Sequence, residues 1–188
     1  VEGAEGKATV VSKEYKEAIH QAMLDLSADK TVRFIGYNVR HGGKAMGTLE
    51  GVPEAQLIEM PVAENLIVSA AIGMALAGLR PVVYIERFDF VLNAIDAIVN
   101  HLDRIKSISS GEFAPTVIIR TVVGNSLKPL YTGSTHTSNY AAQIARMVSF
   151  PVQELMSEAD VGNWYSVAKL RLESNLGPMM LVEFKDLM

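Results

Sequence analysis

Short, almost wholly apolar runs recur along this chain, separated by segments of helical character. The clearest are PVVYI at 81–85, TVIIRTVV at 116–123 and MMLVEF at 179–184. Runs of this kind, rich in Val and Ile, suit strands buried on both faces, the condition of a parallel sheet covered by helices. TVRFIGY at 31–37, QLIEM at 56–60 and VQEL at 152–155 read as shorter strands. Parallel strands need long crossovers, usually helical. The spacing supplies them. The order predicts an α/β fold: a three-layer α/β/α domain with a mainly parallel sheet. At 188 residues the chain has the length of one domain, expected over 1–188.

The helical segments carry their own signals. Tyr15, Ile19, Met23 and Leu26 share one face of a helix that Ser12 can cap, after a loose lead-in at 1–10. Residues 64–77 are rich in Ala, Leu and Met and stop at Gly78. Gly73 inside that helix costs about 1 kcal/mol relative to Ala, which predicts close packing there. Asp89 can cap a helix whose stripe is Val91, Ile95, Ile98, Leu102 and Ile105. Further helices are expected over 140–147 and 159–172.

Composition removes several function classes. There is no Cys, so thiolate nucleophiles, thiolate metal sites and disulfides are excluded. A net charge of −4 gives no reason to expect a nucleic-acid surface. Arg80, Glu86 and Arg87 interrupt the richest apolar region, so no run spans a membrane. Residues 1–6 lack the basic start and apolar stretch of a signal peptide, which predicts a cytoplasmic protein. The phosphate loop, the dinucleotide G-x-G-x-x-G, the G-x-S-x-G elbow and metal-ligand spacings are missing from the sequence.

In open α/β sheets functional groups collect at the carboxyl ends of strands. Three loops qualify. The first holds Met60, Pro61, Val62, Ala63, Glu64 and Asn65. Glu64 in a first helical turn is most simply an acid favoured by the helix dipole, worth roughly 0.3–1 kcal/mol. The sharper reading is a carboxyl partly buried among Val62, Ala63 and Ile67, since burial suits such a group to proton exchange. The second loop holds Glu86, Arg87, Phe88, Asp89 and Phe90. There the Phe rings are most simply core and Glu86–Arg87 a solvated pair. The third is long and hydroxyl-rich, YTGSTHTS at 131–138, with His136 the one His in a site-like setting. His20 and His101 read as surface residues. His41 lies in a Gly-rich loop with Gly42, Gly43, Lys44 and Gly47.

From Met60 the stretch MPVAENLIVSAAIGMALAGLRPVVYIERFDFVLNAIDAIVN resembles the pyrimidine-binding domain of thiamine-diphosphate enzymes. It looks closest to the beta subunit of the decarboxylating component of 2-oxo acid dehydrogenases. FIGYNVRHGG, SGEFAPTVIIRTVVG, YTGSTHTS and GPMMLVEFKDLM extend the likeness along nearly the whole chain, in the expected order. The resemblance implies that Glu64 contacts a ring nitrogen of the cofactor's aminopyrimidine and favours its imino tautomer. The exocyclic nitrogen can then take the proton from the thiazolium carbon. Phe90 matches an aromatic position, usually Tyr, that stacks on the pyrimidine, with Met60 and Val62 beside it. His136 matches the His of an H-S-Q motif on the substrate side. Departures are Thr137-Ser138 for Ser-Gln, Asn65 where Gln is common, and Gly36-Tyr37-Asn38 for Gly-Glu-Asp.

The implied activity is formation of an acyl or ketol carbanion from a 2-oxo acid or a ketose, by decarboxylation or two-carbon transfer. No Gly-Asp-Gly occurs in the sequence, the motif that clamps the diphosphate through Mg²⁺. The resemblance therefore implies an alpha-type partner subunit that supplies this half, in an α2β2 heterotetramer. No residue here is assigned as a metal ligand. It also implies a structural K⁺ on backbone carbonyls near 116–118. The beta subunits carry a C-terminal domain beyond the strand that ends this sequence. The alternative function is a non-catalytic scaffold subunit of such a complex.

Overall fold

The computed structural model describes residues 2–125 and 133–188, with side chains from Lys13 onward. Helix α1 (Glu2–Ser27) leads into β1 (Val32–Gly36). A long loop follows, then β2 (Leu57–Glu59), α2 (Glu64–Leu76) and β3 (Arg80–Ile85). Next come α3 (Phe88–Val91), a 3₁₀ turn Leu92–Ala94, a π-helical stretch Ala97–Leu102 and α4 (Ile105–Ile108). The chain ends through β4 (Ile118–Val123), α5 (Ala141–Ala145), β5 (Val152–Glu154), α6 (Glu158–Ser174) and β6 (Met179–Phe184).

The six strands form one sheet in the order β2-β1-β3-β4-β6-β5, and every pairing is parallel. The predicted α/β/α layering is the observed one. Side chains alternate between two apolar layers, as the pleat requires. Phe34, Val82, Tyr84, Ile118, Val122 and Leu181 meet Tyr15, Ile19 and Met23 of α1 and Tyr165, Ala168 and Leu172 of α6. Ile35, Val83, Ile85, Ile119, Met180 and Val182 meet Ile67, Val68 and Ala71 of α2 and the helical segments from Phe88 to Leu102.

Four local expectations are corrected. Residues 2–10 belong to α1, so they are not a loose lead-in and Ser12 lies inside the helix rather than at its cap. Asp89 falls in the first turn of α3, whose N-cap is Arg87. The 91–105 stripe is buried at Val91, Ile98 and Leu102, but the rod beneath it is broken into short pieces. Gly73 is exposed, and nothing within 4 Å would meet a Cβ there. It faces outward, where the chain has no packing partner for it.

The β1–β2 connection holds what the sequence did not suggest. Lys44, Ala45, Met46 and Gly47 all have positive φ, 43°, 50°, 60° and 82°. A left-handed run of non-glycine residues costs roughly 1–2 kcal/mol per residue. Anchors on either side hold it. The Glu59 carboxylate accepts the backbone N–H groups of Asn38 (2.6 Å), Val39 (3.0 Å), Arg40 (2.7 Å) and His41 (3.2 Å). Beyond the turn, buried Arg120 donates to Thr48 Oγ1 at 3.0 Å. Arg120 also forms a two-pronged pair with Glu183 at 3.0 and 2.9 Å, and Tyr165 donates its hydroxyl to the same carboxylate.

Candidate functional site

The sheet order sets where a site belongs. From β1 the chain runs to β2 on one side, then crosses through α2 to β3 on the other. The reversal opens a crevice at the carboxyl ends of β1 and β3, the usual ligand position in such sheets. A pocket of about 60 Å³ lies there, lined by Tyr37, Val62, Glu64, Ile67, Tyr84, Ile85, Glu86 and Phe90. That is far below the roughly 300–1,000 Å³ of a complete small-molecule site. The larger recess, about 790 Å³ between α1 and α6, holds none of the expected site residues.

Glu64 is the first residue of α2 and is 7% exposed. Asn93 Nδ2 donates to its Oε2 at 3.3 Å. With one oxygen so occupied, the other is available to a ligand. The surroundings are apolar: Ile67 and Ile85 are buried, and Val62 at the rim is 63% exposed. Phe90 is partly buried and lines the pocket, while neighbouring Phe88 is core and meets Tyr140 edge-on at 6.0 Å.

The His136 ring stands edge-on to Phe90, centroids 5.1 Å apart at 84°. Its Nδ1 is 2.9 Å from Thr135 Oγ1. That contact engages the ring at Nδ1. Two features seat the 133–136 turn. Asp89 Oδ2 accepts the Ser138 N–H at 3.3 Å. At Gly124, just past β4, a Cβ would stand 1.8 Å from the His136 carbonyl oxygen, so only glycine permits the approach. Tyr131 and Thr132 of the third loop lie outside the described residues.

Val62, Glu64 and Phe90 line one pocket; His136 does not line it but stands against the Phe90 ring. Met60 does not line the pocket; it packs partly buried against the α2-side core, its N–H donating to Gly36 O at 2.8 Å. Glu86 and Arg87 are not a solvated pair: their charged ends are 3.9 Å apart with only 27% and 11% of each side chain exposed. Asn93 was missed by sequence reasoning. Its signal is the three-residue step from Phe90, which puts both on one helical face. Among the described residues no cluster of three or more His, Asp or Glu side chains could hold a metal ion. No helix among them is long and apolar enough to cross a membrane.

Comparison with known proteins decides the family. Residues 11–154 match the family described as "Transketolase, pyrimidine binding domain". This chain belongs to that family. The transketolase pyrimidine-binding domain also accounts for the curated relatives. One is the 2-oxoisovalerate dehydrogenase subunit beta of Pseudomonas aeruginosa, 30% identical over 148 residues, 76% of this chain and 41% of the relative. Another is the pyruvate dehydrogenase E1 component subunit beta of Acholeplasma laidlawii, 28% identical over 119 residues, 61% of this chain and 36% of the relative. The chain therefore spans about two-fifths of such subunits. Among solved structures, a split-gene transketolase described as an inactive beta4 tetramer superposes with TM-score 0.68 at 15% identity, over 91% of this chain and 51% of that one. A Rhodococcus jostii thiamine diphosphate-dependent 4-hydroxybenzoylformate decarboxylase gives 0.62 at 15% identity, over 92% and 30%. These two likenesses concern the fold.

Proposed function

We propose that this chain is the pyrimidine-binding half of a thiamine-diphosphate enzyme, working as a beta-type subunit with a separate diphosphate-binding chain. The carrying observation is a buried carboxyl, Glu64, set beside an aromatic face, Phe90, at the switch-point crevice of a transketolase-type domain. The residues fit an aminopyrimidine. Phe90 and Ile85 offer surfaces to a flat ring, and Glu64 has an oxygen for a ring nitrogen. When bound, thiamine diphosphate supplies a nucleophilic carbon and an electron sink for breaking a bond next to a carbonyl.

This chain's residues do the rest. Glu64 holds or yields a proton at its carboxyl oxygen, and Asn93 keeps the second oxygen occupied. Phe90 orients the ring and excludes water from one side. His136 Nε2 presents a hydrogen bond to substrate, with Thr135 setting the ring's orientation. The substrate class is a 2-oxo acid or a ketose. Mg²⁺ and the diphosphate belong to the partner, and a structural K⁺ near 116–118 is carried forward from the resemblance alone.

Partnership is supported by the pocket's size and by what surrounds it. Tyr37, Val62, Leu66, Leu76 and Leu92 are each at least 46% exposed. Leu66, Gly73 and Leu76 lie on the outward face of α2, the helix that begins with Glu64. A second chain laid on that face would close the crevice from outside. The test is Glu64→Gln in the reconstituted complex. A catalytic subunit loses turnover by about 10²–10⁴-fold while still assembling. An unchanged rate would replace this reading with the non-catalytic scaffold.

A further inference from the structure

The recess of about 790 Å³ between α1 and α6 lies on the sheet face opposite α2 and shares no residue with the Glu64 pocket. Both helices pack on this face, and each leads into a strand of an all-parallel sheet, so they run in the same direction. Small residues line the recess along both: Ala18 and Ala22 on α1, Gly162 and Ser166 on α6. Gly162 is exposed, and nothing within 4 Å would meet a Cβ there. Small side chains let another helix come to within about 8 Å of the axis beneath.

The charges at the corners say what kind of partner fits. On α1, Lys13 borders the amino-terminal end of the recess and Asp25 the other end. On α6, Glu158 borders the amino-terminal end and Lys169 the other. Among the described residues none of these four is in an ion pair. The sign reverses along each helix and again across the recess. A uniformly basic or acidic partner would therefore meet like charge at two corners. A copy of the same face, turned by a two-fold axis that crosses both helices, meets opposite charge at all four. Such an axis lays each helix antiparallel on its own mate. Lys13 and Asp25 stand about 18 Å apart along α1, and Glu158 and Lys169 about 17 Å apart along α6. Both pairs are centred on the middle of the recess, at Ile19 and between Asn163 and Trp164, so one axis serves both. Glu17 then comes opposite Gln21 of the second copy, and Gly162 opposite its Tyr165. Glu14 comes opposite Leu24 and gains no partner.

We propose that the α1–α6 face is a contact between two copies of this chain, with Lys13 against Asp25 and Glu158 against Lys169 across a two-fold axis. Four helices then enclose the two recesses. The contact leaves α2 and the Glu64 crevice on the outer side of each copy. It goes beyond the cofactor reading and stands whether or not that reading holds.

The test is sedimentation velocity of the full chain over a range of micromolar concentrations. The wild type is expected to move from one chain mass to two as concentration rises. Lys169→Glu sets like charges against each other at two corners at once, and weakens the dimer by about tenfold or more. Glu158→Lys does the same. The two substitutions combined in one chain restore opposite charge across the axis and recover most of the affinity. Gly162→Arg abolishes the dimer while circular dichroism and the urea midpoint stay as in the wild type, because its side chain enters open space. Lys106→Glu, exposed on the α2 side of the sheet, leaves the dimer unchanged. A chain that stays monomeric overturns the proposal and leaves the recess to a different partner. A dimer that Lys169→Glu and Gly162→Arg leave intact puts the contact elsewhere and overturns it too. So does a combined variant no tighter than either single one.

Discussion

Glu64 and His136 are positioned by different means, and the means set what each variant should show. Glu64 is placed by the start of α2 and by Asn93, so its position survives loss of its charge. Asn93→Ala should therefore lower turnover less than Glu64→Gln, because it frees an oxygen without removing the carboxyl. His136 is placed by backbone, through the tight approach at Gly124. Gly124→Ala must push the turn away or strain β4, a typical overpacking cost of about 1–3 kcal/mol. Urea unfolding measures that cost, and loss of the Phe90–His136 ring contact shows in the aromatic NMR shifts. An unchanged stability and spectrum would mean the turn does not press on Gly124.

At the level of elements, Glu59 at the end of β2 organises the loop after β1. Burial pushes its carboxyl up, but the backbone N–H groups of Arg40, Asn38, His41 and Val39 outweigh this and hold it below the usual range. A depressed carboxyl stabilises the fold above its unfolded value near 4.5, and that contribution is lost as pH falls through the lower folded value. Glu59→Gln should thus be less stable than wild type at neutral pH, and the gap should close in acid, as urea unfolding against pH would record. A constant gap would contradict the assignment. Helix α6 offers a simpler case. Ser157 caps it by accepting the Asp160 N–H at 3.1 Å, so Ser157→Ala should cost about 1 kcal/mol. The sequence was most legible at this scale. The runs at 81–85, 116–123 and 179–184 became β3, β4 and β6 because burial on both faces favours near-continuous apolar residues, the charged exceptions Arg120 and Glu183 pairing with each other. The left-handed turn was not legible, since Lys44, Ala45 and Met46 carry no signal for positive φ and are held there by Glu59 and Arg120 from elsewhere. In the candidate site, the loop pattern offered a buried Glu64 only as the sharper of two readings, and Phe90 and Val62 entered through the family resemblance, the Phe rings otherwise reading as core. Asn93 and Gly124 were not legible, because their roles depend on which strands become neighbours. Met60 shows the reverse: the resemblance put it beside the pyrimidine, and the structure packs it partly buried against the α2-side core.

For the molecule as a whole, two claims separate folding from partnership. The Arg120–Glu183 pair ties β4 to β6 with both side chains at most 1% exposed. Removing one partner leaves a buried charge alone, at a cost of about 3–5 kcal/mol. Glu183→Ala should lower the unfolding midpoint sharply, whereas replacing an exposed acid such as Glu112 should not. The outward face of α2 should behave oppositely. Leu66→Glu should leave stability within about 0.5 kcal/mol, as exposed substitutions do, yet weaken capture of the diphosphate-binding chain.

The central claim is that this chain carries one half of a thiamine-diphosphate site. Calorimetric titration of thiamine diphosphate with Mg²⁺, into the chain alone and into the chain with its diphosphate-binding partner, tests it most directly. The account predicts tight binding only for the pair, abolished or strongly weakened by Phe90→Ala on this chain. Micromolar binding by the chain alone, or no binding by either, would contradict it.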